Sequence, residues 1–330
     1  MTRICIFGAG AIGGYLAAAL DTAGADVSLV ARGPHLDSIR TDGLRFEKDG
    51  AITTHHLQAS NMPAELGPQD IVFLAVKAHG IPSVVDDLKP LLHADTIIVP
   101  AVNGLPWWYF HCAGTGTSLD EQPLLSVDPQ SRIWNEIGPQ RAIGCVVYPA
   151  CDIAAPGHVR HLDGDRFSLG EPSGEKSERV RALSALMIEG GLKAPVRPRI
   201  RDEIWIKLWG NCSFNPISAL TGATLDAIGN DPETRQLAAE IMQEVQAIGE
   251  AAGARFGVSI EKRIAGATAI VGHKPSPRQD IEAGRPLEID PILSAVLELA
   301  DRLEIDAPAL SRITGLLKLQ AETLGLYSRG

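Results

Sequence analysis

The stretch RICIFGAGAIGGYLAAALDTAGADVSLVAR, residues 3–32, decides the fold of the first half of the 330-residue chain. It predicts a buried strand over residues 3–7, a glycine-rich turn, a helix that ends near Gly24, and a second strand. Strand, turn, helix and strand in about 30 residues form the opening unit of a nucleotide-binding α/β fold. The turn therefore lies where such a fold binds its ligand.

The turn itself satisfies the pattern GxGxxG with Gly8, Gly10 and Gly13. The first glycine permits the tight turn, the second lets the backbone approach a pyrophosphate, and the third lets the helix pack on the strand. The helix N-terminus would then face the phosphates. A glycine-rich turn without a ligand is the alternative, but the setting favours dinucleotide binding. The residues expected to contribute are Gly8, Ala9, Gly10, Ala11, Ile12 and Gly13.

The end of the second strand indicates which dinucleotide is bound. Proteins that bind NAD usually carry an acid there for the ribose 2′-hydroxyl. This chain has Val30-Ala31-Arg32-Gly33 instead. A guanidinium without a neighbouring acid suits a 2′-phosphate, so we predict NADPH as the cofactor. In the alternative interpretation, Arg32 is a solvated surface residue.

Two further buried strands are predicted within residues 70–80 and 95–104, and each ends in a polar residue, Lys77 or Asn103. Ligands of open α/β sheets bind outside the carboxyl ends of the strands. Lys77 and Asn103 are therefore candidates for the cofactor edge. Simpler interpretations are an exposed lysine and an Asn-Gly turn.

The chain changes character near residue 199. Before it, an aromatic run at 107–110 indicates either an anchor for the irregular segment 111–140 or a substrate lid, and three short strands follow within 141–170. After it, amphipathic segments predict helices, the first of them at 200–222. We predict a Rossmann-type dinucleotide-binding domain over 1–198 and an all-α substrate domain over 199–330, a pairing whose cleft would suit a small molecule.

The segment KLWGNCSFNP, residues 207–216, places three polar side chains four residues apart in an apolar helix. Lys207, Asn211 and Asn215 would share one face, and Pro216 should kink the helix because it cannot donate to the carbonyl of Cys212. Buried amides and an ammonium need partners, which a ligand with a carbonyl and a carboxylate would supply. A polar contact satisfied by water is the alternative.

Ser276-Pro277-Arg278-Gln279 predicts a capping box with Ser276 at the N-cap. Ser276 is equally a candidate for contact with a substrate carboxylate. Glu288-Ile289-Asp290-Pro291 begins twelve residues later, and Asp290-Pro291 is typical of another helix start, whereas Glu288 is less obviously structural. Glu288 is therefore a further candidate for the site.

Composition excludes several functional classes. The net charge of −10 argues against a nucleic-acid or anionic-membrane surface, and no apolar run approaches the roughly 20 residues of a membrane span. Five cysteines without a CxxC pair favour a reducing cytoplasm, and no metal site is expected. A signal peptide is disfavoured at the N-terminus because cleavage would remove the glycine motif.

These motifs together resemble the ketopantoate reductase (2-dehydropantoate 2-reductase) family over nearly the whole chain. The resemblance rests on GAGAIGG with Arg32, VKA at 76–78, Asn103-Gly104, the segment 207–216, and SPRQD with EID at 276–290. It implies a Rossmann domain followed by a helical domain, as in 6-phosphogluconate dehydrogenase. It also implies NADPH-dependent reduction of ketopantoate to D-pantoate in pantothenate and coenzyme A biosynthesis, and a homodimer.

The resemblance also implies a role for each site residue. Lys207 would be the general acid, and Glu288 would hold this lysine and a hydroxyl of cofactor or substrate. Asn103, Asn211, Asn215 and Ser276 would orient the substrate, and the glycine motif, Arg32 and Lys77 would hold NADPH.

Departures from the family pattern occur on the substrate side, at His273, Pro277 and Val102 and in the long segment 105–140. They leave open a reductase of a bulkier 2-oxo acid that uses the aromatic run. A non-catalytic NADPH sensor is a third hypothesis, disfavoured because Lys207 and Glu288 are both present.

Overall fold

The computed structural model describes residues 1–329 and divides the chain into two compact units. Unit 1 comprises Met1–Cys112 and Asp128–Ile200, and unit 2 comprises Ala113–Val127 and the chain from Arg201 onward. The strands are β1 Arg3–Phe7, β2 Asp26–Val30, β3 Leu44–Lys48, β4 Ala51–His55, β5 Gln58–Ser60, β6 Ile71–Leu74, β7 Ile97–Pro100, β8 Gly144–Val147, β9 Ala150–Ala155, β10 His158–Asp163 and β11 Phe167–Gly170. Unit 1 also contains the helices α1 Ala11–Thr22, α2 Gly33–Asp42, α3 Val85–Leu88 and α4 Glu178–Glu189.

The centre of unit 1 is a five-stranded parallel sheet in the order β5-β2-β1-β6-β7. Four of the five residues of β1 and of β2 are buried, and all four residues of β6 are buried. Continuous burial is typical of parallel strands that are covered on both faces. The order confirms the predicted Rossmann-type architecture, and it brings the carboxyl ends of these strands to one edge.

A second sheet, in the order β4-β3-β10-β9, covers helix α1. Tyr15 of α1 stacks on Phe46 of β3 with 5.0 Å between ring centroids. A Cβ at Gly14 would lie only 2.6 Å from Cγ2 of Val159 in β10. The helix that follows the glycine motif is therefore held closely on this side.

The remaining part of unit 1 continues the extended structure. Strands β8 and β11 pair antiparallel, and Ile143 donates its N–H to Ile98 of β7 at 2.9 Å. The stretch at 193–197 runs parallel to β11 and accepts hydrogen bonds from its backbone. It therefore belongs to the hydrogen-bonded structure of unit 1.

The aromatic run of Trp107, Trp108, Tyr109 and Phe110 is buried, with at most 1% exposure for any of the four side chains. The ring of Trp108 lies against Gly144, where a Cβ would meet it at 2.6 Å. These side chains pack, which confirms the packing interpretation. The lid interpretation is wrong because rings with this burial are not available to cover a substrate.

Unit 2 contains the helices α5 Ile200–Cys212, α6 Phe214–Thr221, α7 Leu225–Asn230, α8 Pro232–Ala251, α9 Ile260–Thr268, α10 Ser276–Glu282, α11 Ala295–Arg302 and α12 Pro308–Thr323. No strand occurs among residues 201–329, so this region has the helical architecture that was predicted. The carboxylate of Glu244 in α8 accepts the N–H groups of Ala309 and Leu310, at 2.9 and 2.8 Å, and so caps α12. None of the helices described is long and apolar enough to cross a membrane.

The segment Ala113–Val127 is tied to helix α11. Glu298 accepts hydrogen bonds from the backbone N–H groups of Leu125 and Ser126, at 2.9 and 2.7 Å. Arg302, one turn further along, donates to the carbonyl of Pro123 at 3.1 Å. A carboxylate and a guanidinium of one helix therefore hold the irregular segment by its main chain.

Candidate active site

The glycine motif occupies the turn between β1 and α1, at the carboxyl edge of the central sheet. Gly8 has φ +105°, and a Cβ there would lie 2.8 Å from Cγ1 of Val76, so only glycine fits. A Cβ at Gly13 would collide with the carbonyl oxygen of Gly8. The first and third glycines thus serve the turn and the helix packing, as their spacing predicts.

Gly10 differs because a Cβ there would meet no heavy atom within 4 Å. Its φ of −68° and ψ of −165° are open to any residue, so the backbone does not require glycine. Gly10 is the N-cap of α1, and the N–H groups of Gly10, Ala11 and Ile12 have no acceptor within the described chain. Open space in front of unsatisfied N–H groups at a helix N-terminus fits a pyrophosphate.

Arg32 follows β2 directly and is exposed. It is the N-cap of α2, whose first turn carries no acid. No carboxylate lies within ion-pair distance of its guanidinium among residues 1–329. The guanidinium and the helix N-terminus together form a local positive site in a chain whose net charge is negative.

Lys77 and Asn103 lie three residues beyond the ends of β6 and β7, and both are half-buried. The strand order places four groups along one sheet edge. Their spatial order is Arg32, the glycine motif, Lys77 and Asn103. The structure therefore arranges all the predicted cofactor residues of unit 1 in one row. The predicted strands were too long, since both end before the polar residue and a turn carries it onward.

In unit 2, Pro216 was predicted to kink one continuous helix, and the structure instead shows two helices, α5 and α6, with a break at Ser213. The break does not separate the predicted polar face. Nδ2 of Asn215 donates to Oδ1 of Asn211 at 3.1 Å across it. Lys207 lies one turn before Asn211, and all three side chains are half-buried. An ammonium and two partly exposed amides thus share one face of the helix pair.

The opposite side of α5 fixes this face in place. Trp205 and Trp209 are fully buried, and Nε1 of Trp209 donates to the carbonyl of Met242 at 2.9 Å. A Cβ at Gly249 would meet the indole of Trp205 at 2.8 Å, so α8 approaches α5 closely. Two anchored indoles therefore set the rotation of the helix that carries Lys207.

Ser276 is not the helix cap that its sequence predicts. Pro275 is the N-cap of α10, Ser276 is the first helical residue, and the helix shows no side-chain cap. The Gln279 side chain does not reach back to residue 276, because its Nε2 donates to the carbonyl of Lys274 at 2.7 Å. The capping-box prediction is wrong by one residue, and Ser276 is exposed on a helix that contacts α6.

Glu288 is half-buried just before the helical turn Asp290–Ser294. Asp290 is not a cap either, since its carboxylate accepts hydrogen bonds from the hydroxyls of Tyr327 and Ser294 at 2.9 and 2.6 Å. Burial and the neighbouring Asp290 raise the pKa of Tyr327. Leu287 donates its N–H to the carbonyl of Leu326 at 3.0 Å. The chain around Glu288 is thus held on both sides by residues near the C-terminus, which the sequence pattern did not indicate.

Comparison with known proteins agrees with this architecture. The family model "Ketopantoate reductase PanE/ApbA" matches residues 4–174, and "Ketopantoate reductase PanE/ApbA C terminal" matches residues 199–321. The 2-dehydropantoate 2-reductase of Mesorhizobium japonicum is 53% identical over 327 residues, which cover 99% of this chain and 100% of that protein.

Solved structures also match this chain over nearly its whole length. A protein of Ralstonia solanacearum that is assigned to the ketopantoate reductases has a TM-score of 0.93 at 42% identity, with 99% of this chain and 100% of that chain covered. D-mandelate dehydrogenase, solved with NADH and anilino(oxo)acetate, has a TM-score of 0.83 at 20% identity, with 98% and 99% covered, and so shares the fold. Both family models and a full-length relative place the chain: it is an oxidoreductase that belongs to the ketopantoate reductase family.

Proposed function

We propose that the protein reduces 2-dehydropantoate to D-pantoate with NADPH. The observation that carries the proposal is the row of Arg32, the glycine motif, Lys77 and Asn103 along one sheet edge, in a chain 53% identical to a named 2-dehydropantoate 2-reductase. In this proposal residues 1–198 bind the cofactor, residues 199–330 supply the substrate side, and the protein acts as a cytoplasmic homodimer.

The cofactor would be held by groups that fit its charges. The open side of Gly10 and the N–H groups of the first turn of α1 suit the pyrophosphate, and exposed Arg32 suits the 2′-phosphate. Lys77 would lie further along the same edge. When bound, NADPH supplies the hydride for the ketone carbon.

The substrate side supplies the proton. Addition of a hydride to a ketone leaves negative charge on the oxygen, and an ammonium that can also donate a proton lowers that barrier. Lys207 is assigned this role because it lies on the same helical face as the amides of Asn211 and Asn215. The two amides, Asn103 and Ser276 would orient the 2-oxo acid, and Glu288 would hold the lysine.

The proposal is tested by following NADPH oxidation at 340 nm with 2-dehydropantoate beside a panel of other 2-oxo acids. We expect kcat/KM for 2-dehydropantoate of about 10⁴ M⁻¹s⁻¹ or more, well above every other acid. A better substrate elsewhere in the panel would reject the substrate but retain the reductase. NADPH binding without oxidation by any acid would favour the sensor hypothesis.

Replacing Arg32 with alanine tests the choice of cofactor. The guanidinium is exposed, so solvent weakens its bond to a 2′-phosphate, and we expect about a tenfold rise in the Kd for NADPH. The Kd for NADH should stay nearly unchanged because NADH lacks that phosphate. Arg181→Ala, at another exposed position of unit 1, is the matched control. Equal losses for the two cofactors would reject the assignment of Arg32.

A further inference from the structure

His35 lies in the first turn of α2, three residues after Arg32, and both of its ring nitrogens are hydrogen-bonded to the main chain. Nε2 lies 2.7 Å from the carbonyl oxygen of Ala9 in the glycine motif. Nδ1 accepts the backbone N–H of Gly157 at 3.0 Å. One imidazole thus connects the cofactor turn to the turn between β9 and β10.

The two partners leave the imidazole only one protonation state. A backbone N–H can only donate, so Nδ1 must be the acceptor, and a carbonyl can only accept, so Nε2 must carry the proton. Burial lowers the pKa of His35, which favours the same neutral ring. The side chain is therefore a fixed donor aimed at Ala9.

That donor determines the orientation of the peptide that links Ala9 to Gly10. The C=O and N–H of a planar trans peptide point in opposite directions. Because the carbonyl of Ala9 is held toward His35, the N–H of Gly10 points away from it, and this N–H has no acceptor in the described chain. The preceding peptide is fixed separately, since Gly8 and Ala9 both donate to the carbonyl of Val30 at 3.0 and 3.1 Å.

We propose that His35 is a positioning residue for the cofactor: it holds the Gly10 N–H in the orientation that receives the pyrophosphate. This inference rests on the proposed function, because it assumes that NADPH occupies the glycine motif. In this proposal the imidazole does not contact the cofactor itself, and it acts through the peptide that links Ala9 to Gly10. Its loss should weaken cofactor binding and leave the chemical step unchanged.

The turn that sets the tautomer is itself attached to α2. The hydroxyl of Ser38 donates to the carbonyl of Pro156 at 3.0 Å, one residue before Gly157. Gly157 has φ +69°, and a Cβ there would collide with Ser38. Ser38 thus anchors the same turn without contacting the glycine motif, which makes it the matched control for His35.

Three substitutions of His35 distinguish the effects of its two hydrogen bonds, to Ala9 and to Gly157. His35→Gln can place an amide N–H near the position of Nε2 and keep the bond to Ala9. His35→Asn can reach only the position of Nδ1 and keeps the contact with Gly157. His35→Phe retains the ring shape without either bond. The Kd for NADPH is measured by fluorescence titration for these variants and for Ser38→Ala, and kcat is measured at saturating cofactor and substrate.

We expect the Kd for NADPH to rise about tenfold in His35→Phe and His35→Asn, as for the loss of one hydrogen bond to a ligand-binding loop. His35→Gln and Ser38→Ala should bind NADPH nearly as the wild type does, and kcat should be unchanged in every variant. Equal affinities for the Asn and Gln variants, or the same loss in Ser38→Ala, would overturn the proposal. Failure of the wild type to bind NADPH would overturn the proposed function as well, whereas wild-type affinity in His35→Phe would overturn only the role of His35.

Discussion

Replacing Lys207 with alanine is expected to lower kcat by about 10²- to 10⁴-fold, the usual contribution of a general acid. The ketone oxygen would gain negative charge with no cation or proton donor beside it. Binding of NADPH should be nearly intact, because the groups predicted to hold its phosphates lie on the sheet edge of unit 1. The measurement is kcat with 2-dehydropantoate at saturating cofactor, together with the Kd for NADPH.

Lys262→Ala is the control for this variant, because Lys262 is an exposed lysine on another helix of unit 2. Its kcat should equal that of the wild type. Thermal unfolding of both variants checks that the half-buried position of Lys207 does not make the loss a folding effect. If turnover survives in Lys207→Ala, the proton comes from another group, and Lys207 is not the general acid.

The Gly10→Ala variant is expected to fold normally but to bind NADPH poorly. Its Cβ would meet no protein atom, and its backbone dihedrals are open to alanine, so the melting temperature should not change. The added methyl group would instead occupy the space in front of the first-turn N–H groups. Overpacking of this kind costs about 1–3 kcal/mol, which is about a 5- to 150-fold rise in the Kd for NADPH.

Two other glycines make this test specific. Gly315 lies in α12, and a Cβ there would meet no heavy atom within 4 Å. Gly315→Ala should therefore impair neither cofactor binding nor folding. Gly13→Ala should lower the melting temperature, because its Cβ would collide with the backbone of Gly8. Wild-type affinity in Gly10→Ala would mean that the pyrophosphate does not lie against this turn.

Local patterns were enough to predict the part of the fold that carries the predicted cofactor site. Residues 3–32 contain their own strand, turn, helix and strand, so the positions of the glycines and of Arg32 follow from short-range geometry. The contact between Asn211 and Asn215 is equally local, because side chains four apart on a helix are neighbours. The family resemblance, which rested on these motifs, is confirmed by the comparisons.

Features that depend on distant pairing could not be predicted. The second sheet joins β3 to β10, which are more than 100 residues apart along the chain, and the residue pattern of a strand does not identify a partner at that distance. The prediction that Ser276 is the N-cap of α10 was wrong by one residue, because a serine before a proline suits both the N-cap and the first turn. The catalytic and binding roles of Lys207, Glu288 and the other site residues stay predictions until the variants are measured.

The role proposed for His35 could not be predicted from the sequence, for a physical reason. A single histidine has no periodicity, and its role exists only because α2 brings it against the carbonyl of Ala9. Its position three residues after Arg32, the residue predicted to select the cofactor, is the one local signal, and it is a weak one. Residues that act on a ligand through the main chain are recognised from hydrogen bonds, which composition and spacing do not contain.

The fifteen residues Ala113–Val127 bear on how unit 1 can be produced as a separate fragment. A simple truncation after Ile200 would retain this segment without the Glu298 and Arg302 that hold it, and would free Leu119 and Leu124, which are now buried. Such a fragment would carry an unsupported apolar loop and tend to aggregate. A cleaner fragment would join Cys112 to Asp128 through a glycine-rich linker, and its behaviour on a sizing column would show whether the nucleotide fold is independent.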